Sequence, residues 1–222
     1  MMKKYILDFT VKANNRLSGN YSLLKLSPAD GRVLPEMEPG QFVQVEVPDS
    51  KTTFLRRPIS VNFVDKAANE LWLLVRNAGE GTRHLIETEA GRKLNLVLPL
   101  GRGFSMPDPS VEKILLAGGG VGVAPLLYLG ARLKDAGFNV SFLLGVRRDA
   151  DLLEFEEFSR YGKVYVSTED GSKGDRGLIT QNTALQQSWN LIYCCGPMPM
   201  MKAIAHYASR NHIECEVSLE NK

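Results

Sequence analysis

The chain has few cysteines: three among its 222 residues, Cys194, Cys195 and Cys215. Thiols so few and so clustered give no disulfide framework, and they are one short of the four thiolates that hold an iron–sulfur cluster. Long apolar runs are also missing, and none approaches the roughly 20 residues needed to span a bilayer. The N-terminus begins with Lys3-Lys4 but meets Asp8 almost at once. That excludes a signal peptide, so the cytoplasm is the default compartment and no membrane association is expected. Charge of one sign is absent too: 27 basic and 25 acidic side chains leave a net +2, without the strongly basic signature of a nucleic-acid binder. There is no internal repeat and no low-complexity tract. What remains, 44% hydrophobic and 23% charged residues, is ordinary globular composition. The length suffices for one large domain or two small ones, each with its own core.

The rhythm of the sequence divides it in two. From Lys4 to about Phe104 short strands alternate with turns. Gln41–Val47 and Ile59–Phe63 alternate polar and apolar with period two, and Leu71–Arg76 is an apolar run of strand length. Turn residues separate them at Ala29-Asp30-Gly31, Glu38-Pro39-Gly40 and Val47-Pro48-Asp49. This spacing predicts a small antiparallel barrel or sandwich, with Thr82–Glu89 as its one helix and Gly91 as the stop. Past Pro107-Asp108-Pro109, Lys113–Ala117 reads as a buried strand, followed by glycines and a helical stripe at Leu126, Leu129 and Leu133. Strands near 139–145, 163–167, 190–194 and 214–219 then alternate with helices near 152–160, 177–186 and 199–210. Such alternation predicts a doubly wound parallel sheet. The expected domains are 1–106, a β-barrel, and 110–222, an α/β domain, with the proline-rich stretch between them.

Four segments carry chemistry. Ala117-Gly118-Gly119-Gly120-Val121-Gly122-Val123-Ala124-Pro125 lies between a strand and a helix. Glycines there let the backbone approach a pyrophosphate, and a helix N-terminus supplies donors for it. A tight strand-to-helix turn is the plain alternative, but the flanking strand and apolar helix favour the nucleotide site. Cys195-Gly196-Pro197-Met198-Pro199-Met200 ends a later strand and belongs at the same crevice, outside the carboxyl ends of the strands. As a thiol, Cys195 fits a buried small apolar residue as well as a reactive one; a nucleophile needs a base, and none is visible nearby. Leu55-Arg56-Arg57-Pro58-Ile59-Ser60 offers arginines for a diphosphate and a hydroxyl for a ring nitrogen, against the bland reading of a charged strand entry. Asn77-Ala78-Gly79-Glu80-Gly81-Thr82 is a second glycine-rich helix start and a second candidate anion site. Two phosphate-type sites in two domains suggest two dinucleotides.

In this order these segments resemble the ferredoxin–NADP reductase superfamily, and within it the electron-transfer subunits of the heterodimeric dihydroorotate dehydrogenase of bacteria. The resemblance runs through Pro39-Gly40-Gln41-Phe42, Arg57-Pro58-Ile59-Ser60, Gly79-Glu80-Gly81-Thr82, Leu98–Phe104, the glycine cluster, Asp170-Gly171-Ser172, Cys195-Gly196-Pro197 and Ser218-Leu219-Glu220. It implies FAD on the barrel, with Arg57 pairing to its diphosphate, Pro58 and Ile59 beside it, and Ser60 near flavin N5. Ile59 stands where plant-type reductases carry a flavin-stacking tyrosine. Gly79, Gly81 and Thr82 hold the other side of the diphosphate. Gly118, Gly119, Gly120 and Gly122 hold NAD(H) as co-substrate, Asp170 belongs to the same nucleotide site, and Cys195, Gly196 and Pro197 lie near the nicotinamide. Ser60 and Cys195 are thus the residues implied at the reacting atoms. The implied partner is an FMN-containing catalytic dihydroorotate dehydrogenase subunit, the assembled enzyme being a heterotetramer of pyrimidine biosynthesis.

One departure stands out. The family carries a [2Fe–2S] centre whose cysteines follow the Ser-Leu-Glu segment, and those ligands are absent from this sequence. Two other functions fit the same motifs: an electron-transfer subunit of a sulfide dehydrogenase or hydrogenase, and a flavin-binding interaction protein without turnover.

Overall fold

A computed structural model describes residues 3–48, 50 and 52–219. They fall into two units, Met1–Gly103 and Phe104–Lys222. The break precedes the proline-rich stretch because Phe104 and Ser105 already belong to the second unit. Phe104 packs edge-on against Tyr193 at 5.5 Å, and the Tyr193 hydroxyl donates to the Ser105 carbonyl at 2.6 Å.

The first unit contains strands β1 (Tyr5–Ser18), β2 (Tyr21–Pro28), β3 (Phe42–Val45), β4 (Arg57–Asp65), β5 (Glu70–Arg76) and β6 (Lys93–Leu100), with helix α1 (Glu80–Ile86) between β5 and β6. They close as an antiparallel barrel in the order β1-β2-β5-β4-β3-β6, which settles barrel over sandwich. The long β1 closes it. It pairs with β2 along one side and with β6 along the other, bending at irregularities between Val11 and Ala13 and between Arg16 and Ser18. Closure leaves no strand edge open. The fully buried residues of these strands include Phe9, Leu24, Leu26, Val43, Leu73 and Leu96. Helix α1 begins two residues before the predicted Thr82 and stops at Ile86, where the Thr88 hydroxyl donates back to the His84 carbonyl.

The second unit has β7 (Lys113–Gly119), α2 (Ala124–Asp135), β8 (Asn139–Val146), α3 (Phe155–Ser159), β9 (Lys163–Thr168), β10 (Asp175–Arg176), β11 (Leu191–Cys195), α4 (Met198–Arg210) and β12 (Glu214–Val217). The sheet order is β10-β9-β8-β7-β11-β12, and every pair is parallel. The chain winds outward from β7 through β8, β9 and β10, then returns to the other side of β7 with β11 and β12. The topological switch point therefore lies between β7 and β11, where open α/β sheets bind ligands. The segment predicted as a helix over 177–186 instead forms two 3-10 turns, 179–181 and 183–186. Asn182 interrupts it: its backbone is extended, its carboxamide oxygen accepts from the Ala184 amide, and its nitrogen donates to the Val166 carbonyl and to Ser167 Oγ. Anchoring to β9 overrides helical continuation. The predicted helix over 152–160 likewise shrinks to α3. Among the described residues no helix is long and apolar enough to cross a membrane.

Helix α2 buries Leu126, Leu129 and Leu133 completely, and Leu127, Tyr128 and Ala131 almost so. It lies this close to the sheet because Gly130 presents no side chain. A Cβ there would overlap the Phe142 ring, with Cε1 at 2.7 Å. Replacing Gly130 by valine should lower the unfolding free energy by about 1–3 kcal/mol, the usual cost of overpacking a core. Shortening Phe142 to leucine in the same chain should recover part of that loss in thermal melts; equal melting temperatures for Gly130→Val and the parent would refute the packing.

Candidate functional site

The two adjacent arginines at the start of β4 have different surroundings. Arg56 is turned into the barrel wall: its guanidinium donates to the Asn95 carbonyl at 2.8 Å and to Asn95 Oδ1 at 2.6 Å, and pairs with Glu46 at 2.9 Å. Arg57 has no hydrogen bond or ion pair among the described residues. Its side chain instead lies across Gly81 in the first turn of α1, where a Cβ would overlap Arg57 Nε. Thr53, buried, packs against the same glycine, its methyl 3.0 Å from that Cβ position. Arg57 and Gly81, far apart in the sequence, thus form one cradle with an uncommitted guanidinium. Such a group suits a diphosphate, to which it can donate in a fork. The Thr82 hydroxyl is committed locally, accepting from the Ala78 amide at 2.8 Å and donating to the Gly79 carbonyl at 3.0 Å, so it shapes the turn.

Along β4, Pro58 is exposed, Ile59 is 9% exposed, and Ser60 is half-buried. They stand opposite Gln44, Val43 and Phe42 of β3. Ile59 therefore turns inward while Pro58 and Ser60 share the opposite face, as alternation along a strand requires.

In the second unit the glycine cluster follows β7 and leads through a 3-10 turn, Gly120–Val123, into α2, with Pro125 in the first turn. Its glycines serve different ends. Gly118 leaves room for Leu126 and Val123. Gly119 faces Met200, whose sulfur would stand 2.6 Å from a Cβ. Gly122 lies against the loop after β11, where a Cβ would meet Gly196 N at 2.6 Å and the Cys195 carbonyl at 2.7 Å. Gly120 adopts φ +55° with nothing within 4 Å of its Cβ position. The structure therefore brings Gly119 and Gly122 together with Cys195, Gly196 and Pro197 at the switch point, and leaves open space at Gly120. A backbone-lined space at the start of a helix has the character that suits a pyrophosphate.

Cys195 ends β11, 7% exposed, opposite Gly118 of β7. Cys194 is fully buried among Leu115, Ile192 and Ile204, and burial pushes its thiol far up. The two cysteines point to opposite faces of a sheet covered on both sides. Cys215, opposite Ile192 on β12, has its thiol raised by burial too. Thiols held protonated in apolar surroundings do not suit a [2Fe–2S] cluster, and the described residues contain no group of three or more His, Cys, Asp or Glu able to hold a metal.

Asp170 stands apart from the glycine cluster, in the loop after β9. Its carboxylate accepts from the Ser172 hydroxyl at 2.6 Å and the Ser172 amide at 2.9 Å, which hold its pKa below the usual range. The loop after β8 is tied to it: the Asp149 amide donates to Ser172 Oγ at 2.8 Å, and Lys173 pairs with Asp149 at 3.2 Å. Nothing in the sequence marks Thr53 as site-shaping, and Met200 stands there only as the last residue of the Cys195–Met200 segment. Both act by packing against a glycine, which only the three-dimensional arrangement reveals.

Residues 116–206 match the family of oxidoreductase NAD-binding domains. The chain is 37% identical over 223 residues to the dihydroorotate dehydrogenase B (NAD(+)) electron transfer subunit of Bacillus velezensis, covering 100% of this chain and 85% of that one. To the same subunit of Fusobacterium nucleatum it is 34% identical, covering 98% and 84%. Among solved structures, an NADH-dependent reduced ferredoxin-NADP oxidoreductase superposes with TM-score 0.84 at 25% identity, over 96% of this chain and 76% of that chain. The FAD/NAD binding domain of a Vibrio cholerae nitric oxide dioxygenase does so at 0.83 and 19%, over 95% and 98%, a likeness of fold.

The glycines separate experimentally. Gly122→Ala places a methyl into backbone that has no rotamer to yield, whereas Gly120→Ala pays only for its left-handed conformation, about 1–2 kcal/mol. Urea unfolding should therefore show the larger loss for Gly122→Ala; the reverse order would mean the two loops separate freely.

Proposed function

The chain belongs to the family of dihydroorotate dehydrogenase B electron transfer subunits, and on that premise we propose that it holds FAD on its barrel and NAD(H) on its parallel sheet and moves electrons between NAD and the flavin of a catalytic partner. It is an oxidoreductase subunit. The observation that carries the cofactor assignment is the Arg57–Gly81 cradle: a guanidinium without a partner among the described residues, lying over a glycine whose Cβ would fill the space. Arg57, Gly81 and the turn shaped by Gly79 and Thr82 hold the FAD diphosphate, with Ser60 on the same strand towards the flavin ring and Pro58 and Ile59 as the strand beneath it. Bound there, FAD supplies the ability to take two electrons as a hydride and release them singly. Gly120 faces the pyrophosphate of NAD, with Gly118, Gly119 and Gly122 packed so that the loop can form around it, and Cys195, Gly196 and Pro197 wall the same crevice, with Cys195 and Ser60 nearest the reacting groups.

The loop after β9 favours NADH over NADPH. Glu169 and Asp170 are exposed, and Asp170 is held ionised by Ser172. Carboxylates there repel a 2′-phosphate. Of the two arginines in the neighbouring loop, Arg148 is paired with Asp151 at 3.3 Å. The partner is the FMN-containing catalytic subunit, because every motif of this chain is absorbed by FAD or NAD and none offers the general base that dihydroorotate oxidation requires.

Arg57→Ala should weaken FAD retention by about 1.5–3 kcal/mol, the worth of a hydrogen bond to a charged group, read by ultrafiltration of released flavin; unchanged retention would remove Arg57 from the site. The chain alone should reduce an artificial acceptor with NADH, with kcat/KM at least about tenfold above NADPH, equivalent to about 1.4 kcal/mol. Orotate should form from dihydroorotate and NAD only after the catalytic subunit is added, with any cluster segment it needs. Robust orotate formation by the isolated chain would overturn the assignment.

A further inference from the structure

Immediately before the two arginines lie Phe54, 88% exposed, and Leu55, 74% exposed. Large apolar side chains that exposed forgo burial at about 25 cal/mol for each Å² of apolar surface, and packing within the barrel unit does not account for them. The residues beside them are nevertheless held. Thr53 is buried, and its amide donates to Ser50 Oγ at 2.9 Å. The Thr52 hydroxyl donates to the Glu80 carboxylate on α1, and the Thr53 methyl rests against Gly81. The apolar tip thus stands next to the Arg57–Gly81 cradle and is braced against the same helix.

Chain direction adds a second constraint. Ser60 and Arg57 lie three residues apart on β4, about 10 Å at the rise of a strand, and Phe54 precedes the strand, beyond a bend at Leu55. In the reading proposed above, the flavin end of FAD lies towards Ser60 and its diphosphate at Arg57. The segment that precedes Arg57 in the chain, braced against α1 beside the diphosphate cradle through Thr52 and Thr53, is the one that presents Phe54. What lies beyond the diphosphate of FAD is adenosine. An FMN molecule ends at its single phosphate and has nothing to place there.

Resting on that FAD reading, we propose that the Phe54 ring, flanked by Leu55, is the platform on which the adenine of FAD stacks, and that this platform selects FAD over FMN. Arg57 recognises phosphate in either flavin; Phe54 recognises only the larger one. Stacking between a base and an aromatic side chain tolerates an exposed platform, because the incoming base itself covers the ring.

The test is equilibrium binding of FAD and of FMN, each followed by flavin absorbance after ultrafiltration, to the flavin-free full chain and its variants. Phe54→Ala should weaken FAD by about 5- to 150-fold, the range that loss of one stacked base implies, and leave FMN unchanged within about twofold. Phe54→Trp should restore FAD binding. Because Phe54 is exposed, the variant should keep the parent's melting temperature without flavin, which separates a binding effect from misfolding. Unchanged FAD affinity in Phe54→Ala, or equal weakening of FAD and FMN, overturns the proposal, and the tip then serves a protein contact. Those outcomes leave the FAD reading standing as long as the parent binds FAD and Arg57→Ala weakens it. A parent chain that binds no FAD defeats the underlying reading itself.

Discussion

Two loops of the parallel sheet meet with no side chain between them, and the arrangement of the second unit depends on that contact. Gly122, after β7, approaches the Cys195-Gly196 peptide, after β11, so closely that a methyl group on it would overlap backbone atoms. Backbone cannot rotate aside as a side chain can. The contact therefore sets how near the two strand ends come at the switch point, and with it the width of the crevice between them. Met200, from the first turn of α4, closes the same space over Gly119. The openness at Gly120 is what remains once its neighbours are packed: three of the four glycines are consumed by close approach and one is left facing open space.

The barrel unit solves a similar problem with charge. Adjacent arginines on a strand point in different directions, and here they meet different partners. Arg56 satisfies Asn95 and Glu46 and fixes the entrance of β4 to the wall. Arg57 is left to pack its guanidinium on Gly81, and among the described residues nothing pairs with it. A cation held in place by packing loses little rotamer freedom when an anion arrives, which is the physical ground for reading this cradle as a phosphate site.

The cysteines illustrate how burial decides chemistry. Cys194 and Cys195 are neighbours in sequence, but the parallel sheet is covered on both faces, so both thiols are enclosed. Cys194 sits in the apolar cluster under α4, where desolvation penalises the thiolate. Cys195 sits at the strand end, its carbonyl against Gly122. Position along the strand, not the thiol as such, separates a residue of the apolar cluster from one at the crevice between the strand ends.

Much of this was legible in the sequence. Period-two alternation over Gln41–Val47 and Ile59–Phe63, the stripe of Leu126, Leu129 and Leu133, and glycines between strand and helix each report a local requirement, and local requirements are written in consecutive residues. The strand–helix alternation after residue 110 and the order of the motifs were enough for the two-part architecture and the family. Tertiary structure decided what depends on residues distant in the chain. Asn182 broke the expected helix over 177–186 because its partners are Val166 and Ser167 on a neighbouring strand, which outweigh local helical pattern. Barrel was settled over sandwich by β1 pairing along both of its sides. The separation of Arg56 from Arg57 came from Asn95 and Gly81, each more than twenty residues away. Sequence determined the elements and the chemistry available to them; which groups were spent on packing and which stayed free for a ligand was fixed only when the chain closed on itself, because burial and partnership are properties of neighbours in space.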